Sequence, residues 1–168
     1  MMVAFEDETW TSLYAKVEAE WMPRGEQRRV ATPGYNRRRN AFITLLWPKR
    51  EGLVFNTYAK RRSGEFKRHL SNLLQYGRRH GVKRIILFVD HAPCHKTRNV
   101  KRFIRAHRVL KVKLLPKRAP NLNPVERQVN KPLKSAVCTN RSYNHIDDVD
   151  AEVHKRRFLM KYGLALRT

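Results

Sequence analysis

The sequence predicts an α/β protein in which helices cover a mixed β-sheet. Three observations lead there. Short apolar runs before Lys60 follow one another like the strands of a meander. From Phe66 the apolar spacing changes to that of a helix. Strand-like and helical patterns then alternate, and a β-α-β-α order lays strands side by side with helices packed over them. The 168 residues read as one domain, 1–168, long enough to bury a core without disulfides.

The elements follow in order. MVAFEDET reads as a short strand ending in acids, with Asp7 at its end. EAEWMPRGEQRRV reads as a strand, a turn at Pro23–Gly25 and a second strand. NAFITLLW and LVFNTYA are two further strands, joined by the turn PKREG. Phe66, Leu70, Leu73 and Leu74 fall at i, i+4, i+7 and i+8, one face of a helix, with Gly77 and Gly81 as stop signals. IILFV, residues 85–89, is an apolar run suited to a strand buried on both faces. Val100, Phe103 and Ile104 mark a second helix, and VLKVKLL the next strand. PKRAPNLNP is a Pro-punctuated loop with a helix starting after it. DDVDAEVHKRRFLMKYG is a last helix, its acids in the first turn and its cations later, as the helix dipole favours.

Charge narrows the partner. The formal net charge is +23. Between Phe66 and Val125 the only acid is Asp90, against sixteen Lys and Arg. Such a balance points to a polyanion, nucleic acid above all, bound through phosphates without sequence preference. No apolar run is long enough to span a membrane, and the acidic N-terminus is no signal peptide. Cys94 and Cys138 are far apart and form no CxxC pair, which fits a reducing compartment. The expected location is the cytoplasm, in association with the nucleoid.

Three acids stand where chemistry can use them. Asp7 closes the first strand. Asp90 closes the central strand, where open α/β sheets place their sites. Glu126 lies in NLNPVER, with 35 residues between it and Asp90, at the start of a helix. Each also has an ordinary reading. Asp7 can be one of three solvated acids with Glu6 and Glu8, and Asp90 can cap a turn. Glu126 can complete a capping box with Asn123, ahead of Pro124 at the first helical position. Converging, three carboxylates would repel one another unless a cation joined them, and hard oxygen ligands suit Mg²⁺ or Mn²⁺. Two such ions about 4 Å apart activate a water and steady the leaving oxygen in phosphodiester cleavage. A zinc site from His91, Cys94, His95 and Cys138 is the rival, but its spacing lacks two tidy ligand pairs. His95 is better placed to hydrogen-bond near Asp90, and Cys94 to fill the core.

At these residues the chain resembles the catalytic domain of DDE transposases, in the insertion-sequence branch of the mariner-type superfamily. The matching pieces are FEDET with Asp7, EWMPRGE, ILFVDHAPCH with Asp90, LLPKRAPNLNPVER with Glu126, and LKSAVCTNRSY. They run in the family's order over residues 3–143. The resemblance implies an RNase H-like fold, with helices on both faces of the mixed sheet. It implies two Mg²⁺ or Mn²⁺ ions held by Asp7, Asp90 and Glu126. It implies cleavage at transposon ends followed by attack of the freed 3′-hydroxyl on target DNA, by a homo-oligomer assembled on DNA. Three positions depart from the family: His91 stands where Asn is frequent, Val129 where an aromatic is common, and Pro132 should break or kink the helix after its second turn. The family's N-terminal helix-turn-helix region is expected to be absent. A separately encoded helix-turn-helix subunit, a truncated remnant and a fragment are the alternatives. A basic nucleic-acid-binding protein without catalysis, or an inactive remnant, is the competing function.

Overall fold

The computed structural model describes residues 1–47, 52–117 and 119–161. Five strands form one mixed sheet: β1 (Met2–Ser12), β2 (Arg38–Trp47), β3 (Leu53–Tyr58), β4 (Ile85–Val89) and β5 (Leu110–Leu114), in the order β3-β2-β1-β4-β5. β1 pairs antiparallel with β2, and β2 with β3; β1 and β4, and β4 and β5, are parallel. Helices α1 (Ser63–Arg79) and α2 (Arg98–Ala106) cover one face, while α3 (Lys131–Cys138) and α4 (Ile146–Lys161) cover the other. The α/β architecture expected from the sequence is therefore present, with helices on both faces.

The sheet has two cores because its strands alternate. On one face Ala4, Phe42, Leu87 and Val89 meet Phe66, Leu70 and Leu73 of α1 and Val100 of α2. On the other Ile43, Leu45 and Phe55 meet Leu133 and Val137 of α3 and Val149 and Val153 of α4. Burying both faces removes most of the apolar side-chain surface from water, at roughly 25 cal/mol per Å².

Four expectations are corrected. β1 does not end at its acids: it runs five residues beyond Asp7, because β2 offers it ten paired positions, Val3 to Ser12. EAEWMPRGEQRRV contains no strand, although the turn is real: Glu26 N donates to Pro23 O (3.1 Å) and Gly25 takes φ 88°. Trp21 lies exposed there, with no sheet edge to pair it. Gly77 does not end α1 but lies inside it, since a Cβ there would sit 2.9 Å from Ile85 Cδ1, so the glycine permits helix and strand to approach closely. Only Gly81, at φ 63°, follows the helix as a stop. β4 is fully buried on one face only, with Ile86 and Phe88 half-buried on the other. The PKREG turn falls on residues 48–52, of which 48–51 lie outside the described residues.

Candidate active site

Register places the first two acids. β1 and β4 pair in parallel from Met2↔Ile85 to Phe5↔Phe88, and there the pairing stops. Asp7 and Asp90 both lie two residues beyond that last pair. They therefore stand at equal height where the two strands part. β5 ends beside them at Leu114, and the chain passes through a 3-10 turn (Pro120–Leu122) to the third acid. Asn123 anchors this return: its Nδ2 donates to Glu6 O (3.1 Å) and its Oδ1 accepts from Val125 N (3.2 Å). Asn123 thus caps the helix as its type suggests, while Glu126 turns its carboxylate elsewhere.

All three acids reach one cleft. Asp7, Asp90, His91, Leu115, Pro116, Lys117, Ala119, Asn123 and Glu126 line an open hollow of about 630 Å³. Asn130 ties two of the acids together: its buried Nδ2 donates to Asp7 Oδ2 (3.0 Å) and to Glu126 Oε2 (3.0 Å). This geometry depends on a π turn, Glu126–Asn130, in which Lys131 N bonds back to Glu126 O, five residues earlier. A proline at 132 lacks an N–H and crowds the carbonyl four residues before it. The wider turn relieves that crowding, so the helix passes Pro132 unbroken rather than ending there. Val129 is buried in the α3–α4 core and faces away from the cleft, so its departure from the family pattern alters packing only. His91 lines the cleft, donating from Nε2 to Leu115 O (2.7 Å) and accepting at Nδ1 from Lys96 Nζ (2.9 Å).

Behind Asp90 lies a polar cluster in which His95 bonds beside Asp90 as the sequence suggested, while its other members, Glu6 and Glu8, were not anticipated. Glu6 and Glu8 are not solvated: Glu6 is fully buried and the Glu8 side chain is 3% exposed. His95 stands between them and Asp90. Its Nε2 is 3.3 Å from Glu6 Oε2 and 3.2 Å from Glu8 Oε1, and its Nδ1 is 3.2 Å from Asp90 Oδ1. The ring packs on Phe66, centroids 4.3 Å apart. Cys94 is more than filler, since its Sγ donates to Glu8 Oε1 (3.1 Å). The zinc rival fails on geometry: Cys138 is buried in the core of the opposite face. The one available signal was spacing: Glu6 and Glu8 alternate with Asp7 along a strand, so they must face the other layer.

The electrostatics follow from burial. Burial pushes the Asp7 carboxyl up to about 7, with the Glu8, Glu126 and Asp90 charges adding to it and the Glu8 N–H bond opposing. Burial likewise raises Glu6 well above the carboxylate range, offset by His95. Asp90 goes the other way, held low by its hydrogen bond with His95 and by the Ala92 N–H (2.7 Å). For His95, burial favours the neutral ring, but the bonds to Asp90, Cys94 and Glu8 and the Glu6 charge outweigh it, raising the ring's pKa far above the usual histidine range. The cluster accordingly joins an imidazolium to the excess of carboxylates around it.

A sequence model of DDE superfamily endonucleases matches residues 2–150. The chain belongs to this family. An insertion element IS630 protein of 39 kDa from Shigella sonnei, itself described as uncharacterized, is 30% identical over 125 residues, 74% of this chain and 36% of that protein. The chain thus spans about a third of that relative's length. A Mos1 mariner paired-end complex with Mn superposes with TM-score 0.68 at 17% identity, covering 96% of this chain and 52% of that one. The catalytic domain of Mos1 mariner transposase gives TM-score 0.64 at 14% identity, over 96% of this chain and 76% of that one. The DDE-family chain therefore has the fold of these catalytic domains, the RNase H-like fold that the resemblance implied. Among the described residues no helix is long and apolar enough to cross a membrane.

Proposed function

We propose that this DDE-family chain is the catalytic domain of a transposase, cutting DNA strands at transposon ends and transferring the freed 3′-hydroxyls to target DNA. The observation that carries the reading is the convergence of Asp7, Asp90 and Glu126, from three separate elements, on one open cleft beside a lysine. The donor chemistry suits a hard divalent cation: oxygens of Asp7 and Asp90, with Glu8, come within 4.8 Å of one another, and Glu126 shares the Asn130 amide with Asp7. Asp7, Asp90 and Glu126 would hold two Mg²⁺ or Mn²⁺ ions. Bound there, such ions supply an activated water and charge neutralisation at the leaving oxygen.

The chain's own residues supply the rest. Asn130 keeps Asp7 and Glu126 within reach of one amide. His95 and the Ala92 N–H hold Asp90 in its ionised form, ready to bind a cation. Lys117, on the cleft wall, offers a cation to the phosphate flanking the scissile bond. A homo-oligomer on DNA, and a helix-turn-helix unit on the same or a separate chain, complete the reading. The protein would work in the cytoplasm, on the nucleoid.

Glu126→Gln tests it. Glutamine can still serve as a helix-start residue but removes the charge a cation needs. Nicking of supercoiled plasmid in Mn²⁺ is measured for the chain alone and with a helix-turn-helix protein supplied in trans. The variant should fold and bind DNA as the wild type does, yet lose nicking. Nicking at the wild-type rate would refute the assignment.

A further inference from the structure

We propose that the outer face of α2 is a second DNA seat, separate from the catalytic cleft, which grips the phosphate backbone of duplex DNA through Arg98, Lys101, Arg102 and Arg105. These four residues fall at i, i+3, i+4 and i+7, so they form one stripe down the helix. All four are exposed, and together they line a hollow of about 380 Å³. The opposite side of the helix buries Val100 and packs Phe103 and Ile104 on the core, which fixes the stripe outward.

The stripe is a built charge excess rather than an ordinary solvated face. An ordinary exposed helix intersperses both signs and gains i,i+4 pairs from them. α2 carries no acid at all. Its four cations repel one another, at a cost that no carboxylate on the helix offsets. The neighbouring α1 on the same face contributes Lys67, Arg68, Arg78 and Arg79 against the single acid Glu65. On the far face the sequence of α4 sets Asp147, Asp148, Asp150 and Glu152 against Lys155, Arg156, Arg157 and Lys161, and α3 adds Lys131 and Lys134. The helices of the α1–α2 face therefore carry the larger positive excess, and a polyanion is directed to that side.

Geometry gives the seat its direction. Asp90 leads through a 3-10 turn (Pro93–Lys96) into α2, so Arg98 is the end of the stripe nearest the cleft and Arg105 the end farthest from it. The stripe is about 10 Å long at 1.5 Å per residue, enough to meet two successive phosphates of one strand. DNA lying on it would run from the cleft outward across the α2 face. No base edge is addressed, so the seat holds DNA of any sequence, as a target or flanking segment requires.

The choice of DNA as the polyanion rests on the transposase reading, but the test is binding alone and does not depend on cleavage. Binding of a 30-base-pair duplex of arbitrary sequence is titrated at several salt concentrations without divalent ions. Arg98→Gln, Lys101→Gln, Arg102→Gln and Arg105→Gln are combined in one variant. The control removes equal charge elsewhere on the exposed surface, by Arg24→Gln, Arg29→Gln, Lys60→Gln and Lys155→Gln. Thermal unfolding checks that both variants fold. Each lost phosphate contact should flatten the slope of log K against log salt by about one. The stripe variant should lose about two from that slope, one for each phosphate met, and bind at least ~10-fold more weakly at low salt, while the control changes the slope by less than one. Equal losses in both variants would reduce the stripe to bulk charge and overturn the proposal. An unchanged slope in the stripe variant would overturn it as well. A nicking defect in Glu126→Gln with intact DNA binding would leave both readings standing. Loss of the stripe effect alone would leave the catalytic reading untouched.

Discussion

Asp7→Asn should stabilise the metal-free protein at pH 8 and flatten its dependence on pH. Burial first, then the charges of Glu8, Glu126 and Asp90, push the Asp7 carboxyl up to about 7. An aspartate in the unfolded chain titrates near ~3.9. Between those values the native state keeps a proton that the unfolded chain has released, so stability falls as pH rises through the window. At about 1.36 kcal/mol for each tenfold step, the penalty at pH 8 is about 4 kcal/mol at its upper limit. Asparagine keeps the size of the side chain and an acceptor for the Glu8 N–H. Its amide nitrogen replaces Oδ2 and cannot accept from the Asn130 amide, so that bond is lost, giving back about 1 kcal/mol. The net gain of about 2–3 kcal/mol corresponds to ~5–10 °C in Tm for a domain of this size. The assay is thermal unfolding of chelator-treated protein from pH 5 to pH 8. The variant's advantage should grow by about 2–3 kcal/mol across that range. A constant difference, or a variant less stable than wild type at pH 8, would refute the claim that burial and the neighbouring carboxylates hold a proton on Asp7.

Further predictions concern the buried histidines. His69 is fully buried, its Nδ1 donating to Asn56 Oδ1 (2.7 Å) and its Nε2 accepting from Thr44 Oγ1 (2.7 Å), and burial holds its pKa down at about 3. As pH falls below ~6.5 the unfolded chain gains a proton that native His69 refuses, so stability drops by about 1.4 kcal/mol per pH unit; in His69→Gln, urea unfolding between pH 6 and pH 4 should lose that one-proton slope. For His95, Asn keeps an N–H toward Asp90 while Gln keeps only the link toward Glu6 and Glu8. Mn²⁺ affinity measured by calorimetry should fall about 10–100-fold in His95→Gln and less in His95→Asn, and equal affinities in wild type and both variants would show that the ring merely packs.

Much of the fold was legible because its signals are local. IILFV coincides with β4, and Phe66, Leu70 and Leu73 do form the buried side of α1. The misreadings share one cause, the partner that a linear pattern cannot show. EAEWMPRGEQRRV has strand-like residues but no edge to join, whereas EDET, which looks like a strand's end, continues because β2 lies alongside. The three acids were legible as motif positions, and the structure brings them to one cleft. Their supports were not. Asn130 serves Asp7 and Glu126 only because a π turn sets its side chain between them, and that turn answers to Pro132. Glu6 passed for a solvated acid because its burial depends on His95, 89 positions along the chain.

The most direct test of the central claim is a crystal soaked in Mn²⁺ and measured at the manganese absorption edge. Two anomalous peaks are expected in the cleft, about 4 Å apart, one within ~2.1–2.3 Å of oxygens from both Asp7 and Asp90 and the other liganded by Glu126. Both should vanish in Asp90→Asn. A wild-type crystal with no manganese at Asp7, Asp90 and Glu126, or with manganese only among Glu8, Cys94 and His95, would contradict it.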